Sequence, residues 1–292
     1  MRIARSTPIV SHIVMMLVTV ICLLPFVLLI ASSLSSEKSI LVNGYSFLPK
    51  EFSLEAYTYL ANNGNYLLHA YGISILVTIV GTAVSLVITC MLAYPLSRPD
   101  LPFRNKFTFF VFFTILFNGG LVPTYLLYNN IIGIKNSLFA LLIPYLLMNG
   151  FNVLITRTFF ITNIPPALVE SAYIDGAGEF MIFRKIIIPL SLPIVATIGL
   201  FVGVGYWNDW FNGMIFINQA KLYSIQNVLN QMLQNIQFMQ NNPDIGSRQS
   251  MPLPETTVKM AIAVVGVIPI LIIYPFFQKY FAKGITVGAV KG

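Results

Sequence analysis

Six long apolar stretches constrain this chain more than anything else in its sequence. They run near Ser11–Ser33, Ala70–Leu96, Phe107–Tyr128, Ser137–Phe160, Leu190–Ile217 and Val258–Tyr280. A bilayer crossing needs about 20 mostly apolar residues. The runs show no period-two alternation and exceed the length of a barrel strand, so helices are the form that satisfies the backbone in lipid. The expected fold is an all-α membrane protein of six transmembrane helices, with residues 1–292 forming one domain. Composition agrees: 57% of residues are hydrophobic and 9% charged, against roughly 25% charged in soluble domains.

The net charge of +7 does not point to nucleic acid, because the basic residues are scattered singly between apolar runs. They bear on orientation instead. With the N-terminus inside, the inner segments hold Arg2, Arg5, Arg98, Arg104, Lys106, Arg157, Arg184, Lys185, Lys279, Lys283 and Lys291, and the outer ones Lys38, Lys50, Lys135, Lys221, Arg248 and Lys259. Eleven against six puts both termini in the cytoplasm. The start, Met1-Arg2-Ile3-Ala4-Arg5 before an apolar run and Ala31-Ser32-Ser33, has the cast of a secretory signal. The run from Ile13 to Ala31 is longer than a signal core of about 7–15 residues, so an uncleaved first crossing is expected. Cys22 and Cys90 sit in apolar runs and indicate neither a disulfide nor a metal site. His12 and His69 stand alone near crossing ends, where packing is the ordinary role, and no His/Glu/Asp cluster suggests metal binding or hydrolysis.

The segments between the crossings are Glu37–His69, Ser97–Lys106, Asn129–Asn136, Ile161–Pro189 and Asn218–Thr257. Asn218–Thr257 falls outside the membrane and is rich in Asn and Gln: Gln226, Asn227, Asn230, Gln231, Gln234, Asn235, Gln237, Gln240, Asn241 and Asn242. Those amides either solvate an ordinary loop or face sugar hydroxyls.

Ile161–Pro189 falls on the positive side and contains the most informative stretch, Glu170 to Pro189. Asn163 is placed to cap a helix whose first turn holds Pro165 and Pro166, where a missing N–H costs little. Asp175-Gly176 then breaks it, since glycine readily takes the left-handed conformation after a helix end. A second helix from about Ala177 to Ile187 sets Phe180, Phe183 and Ile187 on one side, and Pro189 opens the next crossing. Two short helices at an angle form either a plain amphipathic connector or a knuckle suited to a partner's groove.

This stretch resembles the signature of binding-protein-dependent ABC importer permeases at Glu170, Ala172, Asp175, Gly176, Ala177, Phe183, Ile186 and Pro189, with Ser171 and Ile188 as conservative departures. The resemblance implies the type I importer permease fold and a cytoplasmic coupling loop, residues 161–189, that docks in a cleft of a separate ATPase. Glu170 would make polar contacts there, with Ala172, Asp175 and Ala177 in the same motif; Gly176 would permit the bend and Phe183 brace the knuckle. The chain has no Gly-x-x-x-x-Gly-Lys-Ser/Thr loop. It is expected to be noncatalytic and to bind no cofactor, with ATP and Mg held by the partner ATPase. The ending from Gln278 to Gly292 is similar to the tail of the maltose-type carbohydrate subfamily, of which this would be the smaller permease of a heterodimeric pair, with residues 282–292 near the ATPase. Phe117 to Tyr125 resembles the subgroup for polysaccharide fragments, some of them uronate oligomers. The implied partners are a second permease, two ATPase subunits, an extracytoplasmic sugar-binding protein and membrane lipid, with Asn218–Thr257 reaching into the binding protein.

The fifth run ends Tyr206-Trp207-Asn208-Asp209-Trp210-Phe211-Asn212-Gly213. In a continuous helix Trp207 and Trp210 share a face, as do Asn208 and Asn212. Aromatic faces and amides suit a sugar path, and the same residues suit an interfacial belt. Asp209 is informative in either case, because a carboxylate near lipid usually faces water or a partner. Asn118, Tyr125, Asn149 and Asn152 are further path candidates, each with helix-to-helix hydrogen bonding as the alternative. An ion-coupled transporter would place ionisable groups near the midplane, where this chain has none. An importer for peptides, amino acids or metal ions would share the coupling loop without the tail or the aromatic-polar patch.

Overall fold

The computed structural model describes residues 6–62, 64–241 and 255–289, with side chains left undescribed at 6–8, 240, 255 and 276–289. Arg2, Arg5, Asn242, Arg248 and Lys291 therefore lie outside the described residues, as do the side chains of Lys279, Lys283 and the rest of the tail. Among the described residues the chain is helical, with one isolated bridge between Ser35 and Phe52.

Three helices are long and apolar enough to span a bilayer: Ile9–Ser33, Gly64–Ser97 and Thr256–Pro275. They answer to the first, second and sixth expected crossings. The other three are broken. In the third, α5 (Arg104–Leu116) gives way at Phe117–Gly120 to α6 (Leu121–Leu126) and a π turn, a bend of 110°. The fourth divides into α7 (Phe139–Leu142) and α8 (Gly150–Asn163), separated by Pro144 and by Tyr145 at φ 64°. The fifth is bent by 80° at Ser191, between Pro189 and Pro193, and its helix α12 (Leu192–Trp207) stops before a short α13 (Phe211–Phe216). Proline supplies no N–H to a helix, which suits the breaks beside Pro144 and Pro193, whereas the third crossing turns at Asn118-Gly119-Gly120 and the fifth stops at Asn208-Asp209 without one.

The chain divides into two compact units. The first comprises residues 1–68 and 229–269. In it α1 (Ser6–Ser33) is followed by α2 (Glu37–Asn43), capped by the Ser36 hydroxyl on Ser39 N, and α3 (Glu55–Asn62). The Glu37 carboxylate accepts from Thr256 N at 2.9 Å, Thr257 N at 2.8 Å and Thr257 Oγ1 at 3.0 Å. That is an acidic cap on the positive end of the last helix, Glu255–Ala289.

The second unit, residues 69–228 and 270–292, carries most of α4 (Gly64–Ser97) and a core of Val77, Ala93, Leu141, Val153, Ile198 and Phe216. Helices α4 and α12 approach closely. A Cβ built on Gly81 falls 2.4–2.7 Å from three ring atoms of Tyr206. Only a hydrogen fits there, and Tyr206 is held by its own bond to the Leu142 carbonyl at 2.7 Å. Gly81→Ala is expected to lower stability by about 1–3 kcal/mol, the usual cost of overpacking. A thermal melt in detergent checks this, and an unchanged midpoint would show that α4 and α12 are not so tightly apposed.

Candidate functional site: the knuckle and the broken crossings

Between α8 and α12 the chain forms the angled pair of short helices expected there, with changed details. Asn163 does not cap the first. It ends α8, its amide donating to the Phe159 carbonyl at 3.2 Å, and Pro165 stands at the N-cap of α9 (Pro166–Ile174) without a side-chain bond. Pro166, at the first helical position, has no N–H to satisfy, which reduces the need for a cap. Gly176 adopts φ 77°, after which Ala177 N returns to the Ala172 carbonyl at 2.9 Å. The second piece starts at Glu179, as α10 (Glu179–Ile182), and widens into a π turn over Phe183–Ile187. Within it Phe183 packs on the core and Ile187 is buried, whereas Phe180 is 69% exposed.

One carboxylate holds the knuckle to the end of α4. Glu179 accepts from the phenols of Tyr94 and Tyr173, and lies 3.7 Å from the Arg98 guanidinium. Arg98 also donates to the Tyr173 hydroxyl at 3.1 Å, stacks on that ring at 5.2 Å, and pairs with Asp100 at 2.9 Å, holding the Asp100 carboxyl below its ordinary range. Tyr94 meets Phe183 at a ring distance of 5.3 Å. The inner side of α9 buries Val169 and Ala172, while Glu170 and Asp175 are exposed and Ile174 is 87% exposed. Glu179, Tyr94, Arg98 and Tyr173 were not legible as a group, because pairing across 85 residues leaves no local pattern.

The aromatic-polar patch is not one helix face. Because α12 ends at Trp207, that ring is 4% exposed and lies 6.0 Å from Tyr71, whereas Trp210, beyond the break, is 41% exposed. Asn208 and Asn212 separate likewise: Asn208 is exposed, and Asn212 is buried with its amide on the Pro144 carbonyl at 3.0 Å. Asp209 Oδ1 accepts from Asn212 N at 3.1 Å, closing the first turn of α13. Asn118 accepts from Gly120 N, and Asn149 caps α8 by accepting from Phe151 N. Tyr125 stacks on Phe216 and accepts from Lys135 Nζ at 3.1 Å. Asn152 is buried in α8, and His69 bonds the Lys221 carbonyl at 2.8 Å.

Broken apolar helices around a buried core, with an angled helical knuckle between two of them, fit a multi-pass membrane protein. The chain belongs to the family of binding-protein-dependent transport system inner membrane components, which it matches over residues 86–287. It is 41% identical to the polygalacturonan/rhamnogalacturonan transport system permease protein YtcP of Bacillus subtilis (strain 168), over 95% of this chain and 96% of the relative. Protein LplC of the same organism is 40% identical over 93% and 90%. Among solved structures, a chain of a bacterial ABC transporter involved in the import of the acidic polysaccharide alginate superposes with a TM-score of 0.79 at 29% identity, covering 95% of this chain and 98% of that one. The expected all-α type I permease fold holds, and the chain is a multi-pass protein of the bacterial cytoplasmic membrane. The chain is a noncatalytic subunit, and ATP hydrolysis belongs to a separate one.

Glu179→Ala should raise deuterium uptake across residues 166–187 while the thermal midpoint hardly moves, since exposed ion pairs contribute little to global stability. Uptake equal to wild type would show that the carboxylate does not hold the knuckle. Trp207→Ala should cost about 3–5 kcal/mol, as truncating a buried aromatic does, and Trp210→Ala far less. Melts of the two variants that coincide would contradict the separation of the rings.

Proposed function

We propose that this chain is one of two membrane-spanning subunits of an ATP-driven importer for oligosaccharides or polysaccharide fragments. The observation that carries the reading is the knuckle, bent at a left-handed Gly176 and presenting Glu170, Ile174 and Phe180 outward. An exposed apolar pair beside a carboxylate suits a helix-in-groove contact, here with an ATPase that holds ATP and Mg. The similarity to permeases named for polygalacturonan, rhamnogalacturonan and alginate supports a sugar cargo, with acidic fragments the first to test.

In this reading both termini and residues 161–189 face the cytoplasm, residues 282–292 lie near the ATPase, and residues 218–257 face outward toward a sugar-binding protein. ATP closes two ATPase subunits, the knuckles of this chain and of a second permease move with them, and the cavity reorients. Trp210 and Asn208, exposed beyond the end of α12, are the better placed of the path candidates to meet cargo.

The test is to purify the chain with its candidate ATPase, second permease and binding protein, and to measure ATP hydrolysis in proteoliposomes against oligogalacturonate, neutral oligosaccharides and peptides. Stimulation by a saccharide is expected; stimulation by peptides alone, or uptake without ATP, overturns the proposal. Gly176→Val places a β-branched residue at φ 77°, which such residues strongly disfavour. Uptake should fall by at least about tenfold, the effect of some 1.4 kcal/mol, with membrane insertion intact. Unchanged uptake would remove the bend from the mechanism.

A further inference from the structure

Near the start of α5 two half-buried arginines, Arg104 and Arg157, lie without an ion-paired carboxylate among the described residues, and an exposed Lys106 follows Arg104 two residues on. Arg104 opens the helix and Lys106 follows it, resting over the Phe103 ring at 5.0 Å. Arg157 comes from α8, packed alongside, and its charge and that of Arg104 repel each other. Among the described residues none of the three has a carboxylate within ion-pair distance. Asp100, which is paired with Arg98, and Glu170 both line a pocket with Arg104, and neither pairs with it. The Arg157 side chain instead donates to the Leu96 carbonyl at 2.8 Å. The N-cap of α5 is Phe103, which offers no side-chain bond to the helix.

An apolar groove of about 320 Å³ begins at the same place. Leu96, Leu101, Phe107, Phe110 and Val111 line it. Leu96 lines the groove, and its carbonyl accepts from Arg157, so the groove and the arginine share one neighbour. Half-buried like charges beside a helix start call for an anion, and guanidinium groups match phosphate oxygens in pairs. A greasy slot beginning at that anion calls for a hydrocarbon chain.

We propose that the start of α5 is a binding site for an anionic glycerophospholipid, with the phosphodiester between Arg104 and Arg157, Lys106 flanking it, and an acyl chain in the groove. A soluble phosphate satisfies only the first half of this arrangement, and a zwitterionic lipid, though it carries the same phosphodiester, brings a cation in among the basic side chains. The site requires that the chain sit in a membrane and is independent of the cargo.

The experiment is native mass spectrometry of the full chain in nonionic detergent, titrated with palmitoyl-oleoyl phosphatidylglycerol or the phosphatidylcholine of the same chains. One phosphatidylglycerol should be retained with a preference of about tenfold, in keeping with basic residues near anionic lipid. Arg104→Gln should remove most of that preference and Arg104→Lys keep only part of it, since an ammonium keeps the charge and loses the paired bonds; Phe107→Gln should weaken both lipids. The Arg104 guanidinium makes no hydrogen bond among the described residues, so its loss leaves the fold in place. Equal retention of the two lipids, a preference untouched by Arg104→Gln, or displacement of the lipid by millimolar inorganic phosphate would overturn the proposal.

Discussion

In hydrocarbon no water is available for an unpaired backbone carbonyl, and each one left open costs several kcal/mol. This chain breaks three of its apolar runs and so creates such groups repeatedly. Side chains from neighbouring elements take them up. Where α7 stops, the Leu142 carbonyl receives the Tyr206 hydroxyl and the Pro144 carbonyl receives the Asn212 amide. Where α8 starts, Asn149 accepts from its first turn. The positions of α12 and α13 are set by these bonds as much as by apolar contact, and the Gly81 approach follows, since Tyr206 can reach Leu142 only if nothing larger than hydrogen stands in its way.

The knuckle is joined to the same framework at its other side. Phe183 and Ile187 anchor its apolar face, and Glu179 draws in Tyr94 and Arg98 from the end of α4 and the loop beyond, and Tyr173 from α9. A segment that transmits force needs a stiff root and a free tip. Here the root is the Tyr94–Glu179–Arg98 cluster, and the tip carries Ile174 and Phe180 in the open. In the proposed transporter a push on the tip passes into α4, and α4 meets α12 at Gly81.

Much of this was legible in the sequence. Apolar runs announced the helices, and the spacing from Glu170 to Pro189 announced the knuckle and its glycine bend. What escaped was where the runs break. A hydropathy pattern registers polarity, and Pro144, Ser191 and the Asn118-Gly119-Gly120 turn hardly dilute the apolar residues around them. Reading Trp207, Asn208, Trp210 and Asn212 on a single helical wheel failed for that reason, because the wheel ends at Trp207. Tertiary pairs such as Tyr206 with Leu142 join residues 64 apart and have no local trace at all.

The breaks also change what a polar residue in an apolar run means. Asn118, Asn149, Asp209 and Asn212 all invite reading as cargo contacts, yet each has a carbonyl or N–H of a broken helix as its partner. Such a residue serves the backbone through one of its polar atoms, and only its remaining donors and acceptors are left for cargo. Asn208 and Trp210 are in a different position, exposed at the break with no comparable duty assigned to their side chains. A permease whose cargo changes while its fold is retained should therefore vary at positions of this second kind and hold the first kind constant, which separates specificity from architecture within a single short stretch of chain.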